Sequence, residues 1–134
     1  MRSASKSISS AIIGIASDKS LFINVDQSIF DFLPNEYQML KDSLKSKIVI
    51  HSLLTMSSGL DADDYTRERK SSASENNYQP TRDWTETILK ANMINEPNTE
   101  ANYGSANPFL LGVAMDSVVS EPLEMFMDLS LIHI

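Results

Sequence analysis

The chain has 134 residues, of which 42% are hydrophobic and 22% are charged, a composition typical of one folded globular domain at most. It carries 18 acidic against 11 basic side chains, and this surplus argues against nucleic-acid binding because a phosphate backbone would be repelled. It contains no cysteine, which excludes disulfides and thiolate sites, and no apolar run is long enough to span a bilayer.

Helical spacing dominates the first third of the chain. Apolar residues recur one turn apart over residues 8–15, which predicts a first helix that the polar residues 18–20 end. Asp26 is a predicted N-cap for a short helix over residues 27–33 that Pro34 stops, and residues 36–44 are predicted to be helical as well.

The middle of the chain predicts little regular structure. A short β-branched run at residues 48–50 leads to a segment that Gly59 would end as a helix C-cap. Residues 62–80 are polar and are predicted to form a solvated loop. Thr81 is a predicted cap for a helix that buries Trp84.

The last third returns to helices. Asn107 and Pro108 read as a cap and a first-turn proline, opening a helix over residues 109–119. Pro122 starts a last short helix through Met127. The sequence therefore predicts many helices and scarcely any strand.

Ser3 and Lys6 are the first candidate catalytic pair. Side chains three residues apart at a helix start project from one face, so an amine can reach a hydroxyl there. A serine attacks only when a base takes its proton, and an amine acts as that base when burial or a neighbouring cation lowers its pKa. The free N–H groups of a helix N-terminus can also stabilise an oxyanion. Alone, this spacing is more typical of a solvated helix start.

Tyr103 belongs to a second candidate motif. It precedes a turn and is followed, on the next helix, by Leu-Leu-Gly at residues 110–112. Taken by itself, Tyr103 is also compatible with a half-buried tyrosine whose hydroxyl binds water.

Three stretches taken together resemble one family. They are Ser-Ala-Ser-Lys-Ser at residues 3–7 with Ile-Ile-Gly-Ile-Ala at 12–16, the stretch Ile-Val-Ile-His-Ser-Leu-Leu-Thr-Met-Ser-Ser-Gly-Leu at 48–60, and the Tyr-to-Leu-Leu-Gly segment at 103–112. In this order they resemble the β-lactamase-related serine hydrolases, which include class C β-lactamases, penicillin-binding DD-peptidases, esterases and nylon-oligomer hydrolases. Asn98 stands where that family usually has Gly, a mild change because Asn tolerates positive φ.

The resemblance implies an α+β fold of the β-lactamase/transpeptidase type and acyl transfer on a small-molecule or peptide-like ester, amide or lactam, without a cofactor. It implies that Ser3 attacks the carbonyl, Lys6 accepts its proton and Tyr103 assists proton transfer to the leaving group. Ser105 occupies the place of the family's Asn and would bind the substrate carbonyl or Lys6. This departure favours the esterase or amidase branches over β-lactam recognition.

Other catalytic classes lack the residues they need. The sequence has no Gly-x-Ser-x-Gly, and His51 and His133 are its two histidines. His51 is interpreted as a helix-start or surface residue rather than a general base. Without cysteine, a metal site has too few ligands, so we expect none.

Both ends of the chain suggest a piece of a longer protein. Ser3 has nothing upstream to hold it, and no Lys-Thr-Gly motif follows, so we expect residues 1–128 to be a partial domain that is inactive alone. Residues 129–134 read as the translation of a common sequencing adapter and are excluded from the fold. Without the family's sheet, Ile12, Ile13 and Ile15 would face water or be buried by local collapse. The resemblance is compatible with a periplasmic or extracellular location.

Two alternatives remain open on the sequence. One is a catalytically silent relative that holds peptide or cell-wall fragments, which a missing third motif in the complete gene would favour. The other is a small helical interaction protein that is complete as given, which cooperative unfolding of the isolated chain would favour.

Overall fold

The computed structural model describes residues 5–21, 24–65 and 71–132, with the backbone alone at residue 5 and at residues 129–132. The helices of these ranges are α1 (Ser5–Asp18), α2 (Ile50–Leu54), α3 (Glu75–Tyr78), α4 (Trp84–Leu89), α5 (Ala106–Val118) and α6 (Leu123–Ile132). Three short 3-10 helices lie at Ile29–Asp31, Asn35–Leu40 and Lys45–Lys47. Extended pairing in the described ranges is limited to two isolated bridges, Ser28 with Val49 and Leu60 with Met93. The expected scarcity of strands is confirmed there.

The two ends of the chain form a helical layer made of α1, α5 and α6. Helix α1 packs on both of the others. Its residues Ile12 and Ile13 are buried and Ile15 is partly buried, so the apolar stripe of α1 is covered rather than turned to water. A groove of about 290 Å³, open to solvent, runs between the three helices. It is lined by Ser9, Ile12, Ile13, Leu111, Gly112, Met115, Leu123 and Met127.

The rest of the described chain, residues 24–65 and 71–105, forms a loop half. Its short helices α2 and α4 pack against α5, and α3 packs against α4. Ile50 and Leu53 of α2 and Ile88 of α4 are buried completely or nearly so. The loop half therefore shares one apolar core with the helical layer, and α5 is the element common to both.

Two predicted helix caps were each two residues out of place. Ser28, not Asp26, caps the 3-10 helix Ile29–Asp31, because its Oγ accepts the Phe30 N–H. Asp83, not Thr81, caps α4, because its Oδ1 accepts the Glu86 N–H at 2.8 Å. In both cases the side chain nearest the first free N–H acts as the cap.

The predicted cap of α5 was wrong as well. This helix begins at Ala106, so Asn107 lies inside its first turn and is fully buried. Gly59 does not end α2 either, since that helix ends at Leu54. Gly59 has φ +78 in a later turn, and a Cβ there would lie 2.3 Å from the Asn95 carbonyl oxygen.

The polar stretch at residues 62–80 is not a solvated loop where it is described. Ser71, Ala73 and Tyr78 are buried, and residues 75–78 form α3. Residues 36–44, predicted to be one helix, contain the 3-10 helix Asn35–Leu40 and then turns.

The structure also defines the backbone at Asn98 and the end of α6. Asn98 has φ +68, which confirms that an Asn takes the positive-φ position expected there. Helix α6 continues to Ile132, so the backbone of residues 129–132 extends that helix without a break. Within the described part of the chain, no helix is both long and apolar enough to cross a membrane.

Candidate functional site

Lys6 and Tyr103, which the sequence separates widely, lie together in the structure. Lys6 sits in the first turn of α1, and Tyr103 lies three residues before α5. The Lys6 Nζ is placed over the Tyr103 ring at 5.1 Å from its centroid, within cation–π range. Lys6 is partly buried and Tyr103 is 38% exposed, so this cluster is accessible from solvent.

The third member of the expected centre, Ser3, lies outside the described residues. What the structure brings together from the expected set is therefore the amine of Lys6 and the phenol of Tyr103. The contact joins the first turn of α1 to the segment before α5, through the amine and the face of the ring.

The segment that carries Tyr103 is fixed from both sides. The Asn102 backbone N–H donates to the Met56 carbonyl at 2.8 Å, and its side-chain amide donates to the Leu60 carbonyl at 3.3 Å. Gly104 lies so close to Ala62 that a Cβ on it would be 1.5 Å from the Ala62 carbonyl oxygen. Glycine is the residue that allows this approach of two backbones. Tyr103 is thus held at a defined place beside α1.

Ser105 is occupied by neighbours in the loop half. Its backbone N–H donates to Oδ2 of Asp64 at 2.6 Å, and its side chain lies beside the Tyr78 phenol. Burial, followed by the charges of Glu75 and Asp64, raises the pKa of Tyr78 to about 12, while the Ser105 side chain lowers it. Tyr78 therefore stays protonated at neutral pH, and its phenol occupies space next to Ser105.

Tyr65 is a neighbour of the site that sequence reasoning missed. Its ring centroid lies 5.3 Å from that of Tyr103, with an angle of 59° between the planes. Its side chain is 73% exposed, although its backbone N–H is fixed by a hydrogen bond to Oδ1 of Asp63 at 2.7 Å. The signal in the sequence is Asp-Asp-Tyr, since Asp side chains commonly bind backbone two residues on, but nothing local says that this turn reaches Tyr103.

A second group of rings lies behind Ser105. Tyr78, Trp84 and Phe109 contact one another with centroid separations between 5.5 and 6.1 Å. They connect α3 and α4 to the first turns of α5, the helix that follows Tyr103 and Ser105.

Asn107 presents an unmet polar group in the first turn of α5. Its side chain is fully buried, and neither its Oδ1 nor its Nδ2 has a hydrogen-bond partner. A buried amide in this state destabilises the fold unless something satisfies it.

Other site classes find no support among the described residues. His51 lies exposed in α2, as interpreted from the sequence, and His133 lies outside the described residues. In the ranges described, no group of three or more His, Asp or Glu side chains could hold a metal ion.

Comparison with known proteins does not identify the chain. No family model matches it, and no curated protein matches it.

Proposed function

We propose that this chain carries the acyl-transfer centre of a β-lactamase-related serine hydrolase, with an α+β parent fold of that type. Ser3 is the nucleophile, Lys6 the base and Tyr103 the proton carrier to the leaving group. The substrate is a small ester or amide rather than a β-lactam. The observation that supports this best is the position of the Lys6 Nζ, 5.1 Å from the centroid of the Tyr103 ring.

The proposal is supported because two motifs that are far apart in the sequence lie together in space. If the resemblance holds, the start of the first helix and the Tyr-to-Leu-Leu-Gly segment must be adjacent, since both would contribute to one active site. Chance motifs carry no such requirement, since residues so far apart in the chain have no local reason to touch. The fixed backbone around Tyr103, through Asn102 and Gly104, holds the phenol side of this contact in place.

The proposed reaction runs in two halves. The Ser3 Oγ bonds to the substrate carbonyl carbon while its proton passes to Lys6 Nζ, and the carbonyl electrons move to oxygen. The tetrahedral species collapses, the bond to the leaving group breaks, and the leaving group takes a proton through Tyr103. Water then attacks the acyl-Ser3 ester and gives its proton to Lys6 Nζ, which passes it to the Ser3 Oγ as the ester bond breaks and the acid is released.

Ser105 bears on the choice of substrate. Its backbone N–H is engaged by Asp64, and its side chain lies beside the Tyr78 phenol. A substrate carbonyl that binds there must share this space with the Tyr78 phenol. This supports a substrate that depends little on the Ser105 position, in agreement with an ester or simple amide.

Labelling with a fluorophosphonate tests the nucleophile. The chain and, in parallel, the longest reading frame at its genomic locus are labelled, and the adduct is located by peptide mass spectrometry. We expect one adduct on Ser3, lost in Ser3→Ala and retained in Ser5→Ala, a matched serine at the same helix start. Equal labelling of Ser3→Ala would exclude Ser3 as nucleophile.

The proton-transfer roles are tested by rate. Lys6→Ala is expected to slow acylation by about 10²- to 10⁴-fold, the usual contribution of a general base. Tyr103→Phe keeps the ring and removes only the hydroxyl, so a slower leaving-group step is expected. If labelling fails in the longer frame too, while that frame lacks a Lys-Thr-Gly-type motif, the silent binding relative replaces the hydrolase.

A further inference from the structure

Tyr65 is an exposed tyrosine that lies beside the proposed centre. Scattered exposed aromatic residues are ordinary on protein surfaces. Tyr65 differs because its ring, 73% exposed, stands 5.3 Å from the ring of Tyr103, which itself contacts Lys6. An apolar surface in water is thus placed directly beside the proposed centre.

The backbone under Tyr65 is held in place. Asp63 accepts the Tyr65 N–H through Oδ1 at 2.7 Å. The next carboxylate, Asp64, accepts the Glu75 N–H at 2.7 Å and the Ser105 N–H at 2.6 Å. These bonds tie the Tyr65 turn to α3 and to the segment before α5. A fixed tyrosine loses little conformational entropy when a ligand packs on it, which is why such residues serve as binding anchors.

The two rings form a wedge rather than a stack. Their planes meet at 59°, and both rings keep part of their surface open to solvent. The Lys6 ammonium already lies over Tyr103, so an arriving group finds most of its free contact area on Tyr65. Rings pair best edge-to-face or offset, geometries that a tilted pair of tyrosines presents to a third ring.

We propose that Tyr65 and Tyr103 form an aryl-binding wedge at the mouth of the site, and that the acyl group of the substrate is a flat aromatic one. The binding half of this inference stands on the wedge itself, whereas its catalytic half rests on the proposed function. Tyr65 then selects the acyl group of the substrate. It takes no part in the reaction, which occurs at Ser3, Lys6 and Tyr103.

Binding is tested with two neutral amides of similar size, phenylacetamide and cyclohexylacetamide, by ligand-observed NMR on the whole chain. We expect phenylacetamide to bind more tightly than cyclohexylacetamide. Tyr65→Leu should weaken phenylacetamide binding about two- to twelve-fold, the range of an aromatic pair, and leave cyclohexylacetamide binding unchanged. Tyr65→Phe should keep the preference because the ring remains.

Controls separate a binding role from a structural one. Tyr65 is mostly exposed, so Tyr65→Leu should leave the thermal midpoint close to that of the wild type. Trp84, 39% exposed in the other ring cluster, offers a competing aromatic surface. Trp84→Leu should leave phenylacetamide affinity unchanged. Loss of binding in Trp84→Leu, or equal affinity for both amides in the wild type, would overturn the wedge.

The catalytic half uses methyl phenylacetate and methyl cyclohexylacetate with the protein of the longest reading frame at the locus, and acid release is the readout. Tyr65→Leu should lower the ratio of their kcat/KM values by the same two- to twelve-fold. If phenylacetamide binds as expected but Ser3 is never acylated, the proposed function fails and the wedge stands. If Ser3 is acylated and Tyr65→Leu leaves the ratio unchanged, the wedge fails and the proposed function stands.

Discussion

The loop half and the helical layer differ in whether their buried polar side chains have hydrogen-bond partners. In the loop half, the Ser52 Oγ accepts the Val49 N–H at 3.1 Å, and Oδ2 of buried Asp61 accepts the Ser72 N–H at 3.0 Å. The hydroxyl of Ser71, also buried, donates to the Asp61 carbonyl. In the helical layer, by contrast, buried Asn107 has no partner for either side-chain atom.

The glycines show the same difference. Gly59 and Gly104 of the loop half lie against carbonyl groups of other segments, leaving no room for a Cβ. Gly14 and Gly112 of the helical layer have nothing within 4 Å of that position. The loop half is thus positioned by directional bonds and close backbone contacts, whereas the helical layer is held by apolar packing that leaves a groove. Hydrogen bonds restrict the relative positions of two segments more tightly than apolar packing does, because they depend on direction as well as distance.

The largest expected effect comes from Gly104→Ala. Its Cβ would lie 1.5 Å from the Ala62 carbonyl oxygen, so two backbones must separate. We expect a loss of about 3 kcal/mol or more in the free energy of unfolding, measured by urea denaturation. Gly112→Ala is the control, since its Cβ meets nothing and should stabilise the helix by about 0.5–1 kcal/mol. Equal changes in the free energy of unfolding for Gly104→Ala and Gly112→Ala would contradict the difference between the two regions.

Truncation of the core should also separate the two regions. Leu53→Ala removes a fully buried side chain of α2, and we expect a loss of about 2–5 kcal/mol. Met115→Ala removes a side chain that lines the groove in the helical layer, so we expect about 2 kcal/mol, because less new cavity is created. A larger loss for Met115→Ala than for Leu53→Ala in the same urea titration would contradict this ranking.

Asn107→Leu should raise stability. The substitution removes an unpaired buried amide and replaces it with a branched apolar side chain that favours a helix. We expect a gain of about 1–3 kcal/mol, seen as a higher urea midpoint with an unchanged slope. A loss instead would indicate that a bound water satisfies the amide.

The smallest effect at neutral pH concerns Tyr37 and Asp83. The Tyr37 hydroxyl donates to Oδ2 of Asp83 at 2.8 Å, and this bond, with burial and nearby negative charge, raises the pKa of Tyr37 to about 12. Unfolded tyrosine titrates near 10. The unfolded chain therefore loses this proton first, so the contribution to stability is present below about pH 10 and is lost as pH rises through 12.

Asp83→Asn tests that assignment. Asn still caps α4 but lacks the charge, so the pKa of Tyr37 should move back toward its ordinary value. Ultraviolet titration of tyrosine, read as the difference from a matching Tyr37→Phe variant, isolates this group. Tyr78, whose pKa is raised to about 12 mainly by burial, should not move. An unchanged Tyr37 titration in Asp83→Asn would show that burial, not Asp83, sets its pKa.

Periodic apolar patterns predicted the helical layer well. The stripe over residues 8–15 lies inside α1, and the run over residues 109–119 lies almost entirely inside α5. These patterns work because each helix buries one face, and burial leaves a repeat of fixed length in the sequence. The ends were less accurate, since caps depend on which side chain happens to reach a free N–H.

The loop half was predicted poorly for a physical reason. Its geometry comes from bonds between distant segments, such as Asp64 to Ser105 and Asn102 to Met56. No local spacing encodes such pairs. The same holds for the candidate site: Lys6 and Tyr103 could be named from motifs, but Tyr65 could not, because its relevance depends on where a separate turn folds. Ser3 stays a prediction.

Lys6 and Tyr103 belong to parts of the molecule that are secured in different ways. The phenol is anchored by the backbone around Gly104, while the amine lies on α1, whose inner face packs through apolar contacts. If α1 lifts by a few ångströms, the pair separates although most of the chain keeps its shape. On heating, the Lys6–Tyr103 contact should therefore be lost at a lower temperature than that of global unfolding.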